Sequence, residues 1–373
     1  RRRARGPLAT WLLFIGGLFP ALGFFNVYPF QFSYVADHFQ YLASLALIAG
    51  VVAGVAQLVA AVPQRARVAA VLAAVGLVMT LGWGTRQQSG LYRSNETLAR
   101  ATIAHNSESW MAHDILAAAL AKDPHRSAEA VGEYRETIRL NPDYAGAHVG
   151  LGVELAKTPA GTSEAIAQYE RGLQINPRYI EAHNNLGVEL MKVPGHRDEA
   201  IAHYEEALRL KPDFAQAHVN LANALVQDPK RLAEALAHYE TALQLEPQSA
   251  TTHGYFANAL AHGVGRIKEA VEQYEIALRL DPNLGWVHRN LAFALAQIPG
   301  RQSDAITEGE AALKLNPEDV EAHNALAIVY ARAGNIAQAR EQWKAALQID
   351  PNFRTARENL RVLDEMARQR GPE

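Results

Sequence analysis

The chain has 373 residues, 49% of them hydrophobic, and no cysteine, which excludes a disulfide framework, a thiolate metal site and a cysteine nucleophile. Charge divides it sharply: residues 1–86 hold seven Arg, no Lys and one acid, Asp37, whereas the remainder holds 29 basic and 38 acidic residues. An acidic remainder without a basic stripe argues against nucleic acid as a partner, because neutralising phosphates needs clustered Lys and Arg.

The chain opens on Arg1, Arg2 and Arg3 rather than Met and reads as a fragment whose upstream part is missing. A signal peptide is the other reading of a basic start followed by an apolar run, but no small-residue cleavage site follows. Three uncharged apolar runs come next, at 8–25, 42–62 and 68–83. A helix needs about 20 apolar residues to cross the hydrocarbon core, with some tolerance, so three transmembrane helices are expected in a membrane segment spanning 1–86. Arg1, Arg2, Arg3 and Arg5 precede the first run, Arg65 and Arg67 lie between the second and third, and the loop at 26–41 has no Lys or Arg. The positive-inside rule then places both Arg clusters in the cytoplasm and that loop outside. Three crossings put everything after the third run on the extracytoplasmic (periplasmic) side of the cytoplasmic membrane, with Arg86 the one dissenting charge. Within the outside loop, NVYPFQFSYVADHFQYLAS, Asp37 and His38 are the only ionisable pair. They are weak catalytic candidates, since an acid beside His can bind a metal or move a proton; a polar cap at the interface is the bland alternative.

Residues 87–109 connect this segment to a repeat array. Residues 94–106 read as an orphan second helix of a hairpin, because Asn106-Ser107 matches the Asn-Pro that ends later units. From Trp110 to Phe353 the chain repeats itself, and that decides the fold. Pro recurs every 35 residues from Pro142 to Pro317 and then at Pro351; Ala recurs from Ala130 through Ala305 and then at Ala339. Tyr134, Tyr169, Tyr204, Tyr239 and Tyr274 share one position, which Gly309 and Trp343 take in the last two units. Leu116, Leu151, Leu186, Leu221, Phe256, Leu291 and Leu326 mark the first helix, each followed by Gly or Ala. The segment 181–213, EAHNNLGVELMKVPGHRDEAIAHYEEALRLKPD, resembles the tetratricopeptide repeat. The resemblance implies an all-α solenoid of seven helical hairpins over 110–353, closed by a solvating helix within 354–373. Neighbours must stack, because one hairpin cannot bury its own apolar face.

With each Leu numbered as position seven, positions four, seven, eight and eleven form a buried stripe and two, six, nine and thirteen the opposite one. In tetratricopeptide arrays the first helices line the concave surface, so the second stripe is the candidate peptide-binding groove. It carries Asn185, Asn220 and Asn290 at position six, Asn223 and Asn258 at position nine, and Lys157 and Lys192 at position thirteen, flanked by Asn184 and Asn324 at position five. Each Asn offers two donors and an acceptor, so a row of them can clamp an extended backbone without reading its sequence; this is similar to the asparagine-lined groove of O-GlcNAc transferases. Gly150, Tyr255 and Ala325 interrupt the row. A second row, His113, His148, His183, His218, His253, His288 and His323, recurs at position four within the buried stripe. Packed helices lie about 8–10 Å apart, too far for these rings to share one metal, and a structural role is expected. No nucleophile elbow, phosphate loop, zinc motif or dinucleotide fingerprint is present, and no cofactor or metal is expected.

The order of parts, with membrane helices, an outside loop VADHFQYLAS and outside repeats, is similar to the carboxy-terminal part of transmembrane-and-tetratricopeptide O-mannosyltransferase-like proteins of the GT-C class, bacterial type. In that family the loop carries an acid, then Arg, then Tyr-Leu-Tyr; Asp37 and Tyr41-Leu42 fit, whereas His38, Phe39 and Gln40 depart. The resemblance implies a lipid-linked sugar donor, a protein hydroxyl acceptor and a catalytic acid upstream of Arg1. Two readings stand: a membrane-anchored scaffold whose groove binds an extended polypeptide, with protein and membrane lipid as partners, or the acceptor-binding end of a protein O-glycosyltransferase.

Overall fold

The computed structural model describes residues 94–370, together with 63–66 and isolated positions between 57 and 83. The first two expected spans, Asp37 and His38 lie outside the described residues, and the third span lies only partly within them. At 68, 72, 75, 79 and 83 the backbone is helical and the side chains of Val68, Leu72, Val75, Met79 and Trp83 are exposed. Among the described residues no helix is long and apolar enough to cross a membrane. The chain divides into residues 1–101 and 102–373, and each is described by itself.

Sixteen helices follow without a strand among the described residues. The first, α1 (Asn95–His105), is opened by reciprocal capping between Ser94 and Thr97, in which each backbone N–H donates to the other's hydroxyl at 3.1 and 3.2 Å. It closes as the sequence suggests: the Asn106 side chain accepts from the Glu108 N–H at 3.1 Å, the same turn that Asn176, Asp281, Asn316 and Asp350 make in later units. Side-chain oxygens of Asn and Asp close such turns, and the following Pro cannot continue the helix.

Seven hairpins occupy 110–349. They are α2 (Trp110–Leu120) with α3 (Ser127–Leu140), α4 (Ala145–Leu155) with α5 (Thr162–Ile175), and α6 (Ile180–Leu190) with α7 (Arg197–Leu210). Then come α8 (Ala215–Leu225) with α9 (Leu232–Leu245), and α10 (Ala250–Asn258) with α11 (Ile267–Leu280). The last two are α12 (Gly285–Leu295) with α13 (Gln302–Leu315), and α14 (Val320–Arg332) with α15 (Ile336–Ile349). The closing helix is α16 (Arg354–Arg370), which seats Ala356 and Leu363 against Trp343 and Ala346.

The repeated small residues are where the helices meet. Ala130, Ala165, Ala200, Ala235, Ala270, Ala305 and Ala339 are fully buried, and the Leu at position seven and the Tyr of the second helix are buried with them. A Cβ on Gly187 would lie 2.6 Å from the Tyr204 ring, and one on Gly152 would lie 2.7 Å from the Tyr169 ring. Each Tyr also fills the seam to the next unit: Gly150 makes room for the Tyr134 ring, and Tyr239 packs on Phe256 at 6.0 Å between centroids.

The extra residue of the 35-residue units is absorbed in the inter-helix turn in three ways. Pro124–Arg126, Pro159–Gly161 and Pro229–Arg231 form 3-10 turns. Pro-Gly turns place Gly195 and Gly300 at φ +89° and +83°. The fifth unit has no Pro there and instead widens into a π-helix, Ala259–Gly263. Because nothing lies within 4 Å of a Cβ at Gly195, Gly195→Ala tests conformation alone. It is expected to cost about 1–2 kcal/mol in chemical denaturation, the penalty of a left-handed L-residue.

Candidate functional site

The first helices of neighbouring units touch one another along one face, as α12 does α14 and α6 does α8. Polar side chains at positions five, six and nine bridge them. Asn220 Nδ2 donates to Asn184 Oδ1 at 2.8 Å, and Asn290 Nδ2 donates to Asn258 Oδ1 at 2.8 Å. Much of the expected asparagine row therefore holds the array together. Asn184 is 5% exposed and is spent as an acceptor for Asn220; its own NH2 reaches Asn185 Oδ1 at 3.3 Å. Asn324 accepts the Trp343 indole N–H at 3.0 Å and Asn359 Nδ2 at 3.4 Å. Position five is an interhelical position, so Asn184 and Asn324 do not line the groove as free amides.

The two lysines are also committed. Lys157 Nζ lies 2.7 Å from Glu154 Oε2, and Lys192 Nζ lies 2.6 Å from Glu189 Oε1. Both glutamates sit at position ten and are buried, so each needs its lysine to compensate the loss of solvation. Ser127 Oγ donates a further 2.7 Å bond to Glu154, whereas Glu189 Oε2 has no partner. Lys157 and Lys192 thus neutralise buried carboxylates, while their own side chains stay 38% and 47% exposed.

What remains is concentrated in units four to six. The Tyr239 hydroxyl donates to Asn223 Oδ1, and the Tyr274 hydroxyl to Asn258 Oδ1, both at 2.5 Å. Burial pushes both phenols well above the usual tyrosine range, so they stay neutral and keep donating. With each hydroxyl donating to the amide oxygen, the NH2 groups of Asn223 and Asn258 remain as their donors. Here lies a cavity of about 360 Å³ whose walls include Asn223, Asn258, Asn290, Tyr239, Tyr255 and His262. Tyr255 stacks on Trp286, with centroids 5.2 Å apart and planes at 22°. His262 stacks on Phe293 at 6.3 Å, and the Arg332 guanidinium lies 5.1 Å from the Phe293 centroid. His262 reaches the cavity from the π-helix, a distortion found frequently at functional sites. Neither the π-turn nor the Tyr–Asn locks are expected from repeat periodicity. The one available signal is that Asn at position nine coincides with Tyr sixteen residues later only in units four and five.

The histidine row is a set of double staples. Each ring donates Nε2–H to the carbonyl six residues earlier, for example His148 to Pro142 at 3.0 Å and His323 to Pro317 at 3.0 Å. Each Nδ1 meets a side chain of the second helix: Glu133, Gln168, His203, His238, Gln273, Glu308 and Gln342 in turn. Both nitrogens are thus occupied by the fold. Since Nε2 must donate to a carbonyl, a neutral ring can only accept at Nδ1. His203 and His238 therefore donate Nδ1–H to His183 and His218, at 2.9 and 2.8 Å. Burial and then the facing ring hold His203 and His238 below the usual histidine value. His288 is held above it, chiefly by its hydrogen bond to Glu308.

A TPR repeat family model matches residues 162–192 and 195–228, and two further tetratricopeptide repeat models match 230–285 and 320–353. No curated protein sequence matches the chain. The Cut9–Hcn1 hetero-tetramer of the APC/C is similar at 17% identity over 71% of this chain and 51% of that one, with a TM-score of 0.57. The chain thus spans about half the length of that relative. Yeast Tom70 is similar at 16% identity, 73% of this chain, 58% of that chain and TM-score 0.46. YrrB, described as a TPR protein with an unusual peptide-binding site, is similar at 21%, 52%, 97% and 0.42. Repeat models and hairpin geometry together define an α-solenoid. The matched residues, 162–192, 195–228, 230–285 and 320–353, are tetratricopeptide repeats.

Proposed function

We propose that the chain is a membrane-anchored tetratricopeptide scaffold whose groove holds an extended polypeptide outside the cytoplasm. The observation that carries the polypeptide part is the Tyr–Asn locks. They occupy the oxygens of two lining amides, one per unit, and leave the NH2 groups as donors in a cavity lined by no carboxylate and no lysine or arginine. Backbone carbonyls are the ligand groups that such donors satisfy whatever the sequence. Asn223→Asp with Asn258→Asp keeps an oxygen for each tyrosine and removes both donors. The double variant is expected to bind a labelled, blocked, neutral decapeptide roughly tenfold or more weakly, at about 0.5–1.5 kcal/mol per bond. Unchanged affinity would overturn the reading.

The anchoring rests on the apolar runs at 8–25, 42–62 and 68–83 and on the Arg clusters between them. It places the repeats on the periplasmic side of a bacterial cytoplasmic membrane, with lipid as a second partner. Alkaline phosphatase fused after residue 86 is expected to be active and a fluorescent-protein fusion there dark; the reverse would contradict it. The glycosyltransferase reading draws on the resemblance of residues 35–44. In that reading the groove would present a hydroxyl-bearing segment to a lipid-linked sugar. Sugar transfer to a groove-bound peptide by the membrane-embedded parent would favour it over the scaffold alone.

A further inference from the structure

We propose that the cavity between units four, five and six is an aromatic-residue pocket, so that the preferred ligand is an extended peptide segment carrying Trp, Tyr or Phe. This rests on the groove reading above and narrows it to a place and a ligand class. Three independent features coincide there. The first is a local departure from the repeat. The fifth unit alone absorbs its extra residue in a π-helix, which closes with the Arg266 N–H reaching back to the Leu260 carbonyl at 2.9 Å. That widening carries His262 to the cavity wall.

The second feature is that two wall rings are each backed by another ring, Tyr255 by Trp286 and His262 by Phe293. Tyr255 remains 39% exposed. Stacked rings lose little further freedom when a ligand arrives, and rigid aromatic walls favour planar side chains. The third is the donor–acceptor balance. Asn223 Oδ1 is taken by Tyr239, and Asn258 Oδ1 by both Tyr274 and Asn290. The NH2 groups of these two amides remain as donors, and a peptide segment meets them with backbone carbonyl oxygens flanking a planar apolar side chain. An oligosaccharide also stacks on rings, and maltotriose is the competitor that tests for it. The lining holds no carboxylate, lysine or arginine to pair with a charged side chain.

The test uses the full chain and two blocked neutral pentapeptides, acetyl-Gly-Gly-Trp-Gly-Gly-amide and its Leu counterpart. Dissociation constants come from titration of each against wild type, Tyr255→Ala and Tyr255→Phe. The Trp peptide is expected to bind about five- to tenfold more tightly than the Leu peptide, the scale of one stacked ring pair. Tyr255→Ala should bring the ratio to about one, and Tyr255→Phe should preserve it. Equal binding of the two peptides to wild type overturns the pocket while leaving the groove reading intact, provided the Asn223→Asp, Asn258→Asp double variant weakens both. A ratio that survives Tyr255→Ala overturns it, as does displacement of the Trp peptide by maltotriose. No binding of either peptide overturns the pocket and the groove reading together.

Discussion

Tyr204→Ala is expected to cost about 3–5 kcal/mol, the range for removing a large ring from a packed interior. Tyr204 is 2% exposed, and its ring lies so close to Gly187 that a Cβ there would sit 2.6 Å away. Removing it leaves a hole that neither a glycine nor the neighbouring alanines can fill. In a solenoid each unit contacts only its neighbours, so the damage stays local. Native-state hydrogen exchange should therefore accelerate in α6 to α8 and remain unchanged in α15 and α16. Uniform acceleration along the array would mean that the units do not stack as separable elements. The same substitution has no counterpart in unit six, where Gly309 already stands at that position and Leu326 occupies the space.

The second large effect concerns acid. Units three and four carry His–His staples, in which His203 and His238 are held below the usual histidine value by burial and by the facing ring. For such groups the unfolded chain binds protons first. Their contribution is fully present above the unfolded value near 6.5 and is lost as pH falls from there through the lower folded value. Charging His203 or His238 would place a cation on a half-buried ring packed against another imidazole, 2.9 Å away in unit three and 2.8 Å in unit four. His288 works in the opposite sense: its raised value gives stability that is present below 6.5 and is lost as pH rises through the folded value. The His203→Gln, His238→Gln double variant installs the residue that units two, five and seven already use. An amide can donate or accept, so the variant is expected to hold its melting temperature between pH 7 and 5.5, while wild type loses several degrees. An equal loss in both would show that the pairs do not control the acid response.

These staples show how far periodicity carries. The recurrence of Pro, Ala, Tyr and Leu places all seven hairpins, because each letter has a packing reason that repeats with the unit. The buried position of the His row is legible for the same reason. Its partners are not, since the Pro carbonyl and the second-helix side chain become neighbours only when the turn closes. Position five fails differently. Asn184 and Asn324 look like groove residues on a helical wheel, yet Asn220 of the next first helix takes the oxygen of Asn184, and Trp343 of α15 with Asn359 of α16 takes that of Asn324. A wheel describes one helix, whereas burial here is decided between helices. The pairing of Lys157 and Lys192 with the buried Glu154 and Glu189 is not legible either, because the burial of those carboxylates is set between helices. The π-turn of unit five follows from a missing Pro in an over-long unit, a negative signal that repeat patterns do not display.

The central claim is that the face carrying Asn223 and Asn258 holds an extended chain. The absence of cysteine allows single reporters to be placed on either side of the array. A benzophenone would be attached at Gln227→Cys, the exposed position thirteen of unit four, or at Glu240→Cys, exposed on the second helix α9, and irradiated with the labelled decapeptide. Cross-linking is expected from Gln227→Cys alone and should disappear when unlabelled peptide is added in excess. Equal cross-linking from both positions, or none from Gln227→Cys, would contradict the account.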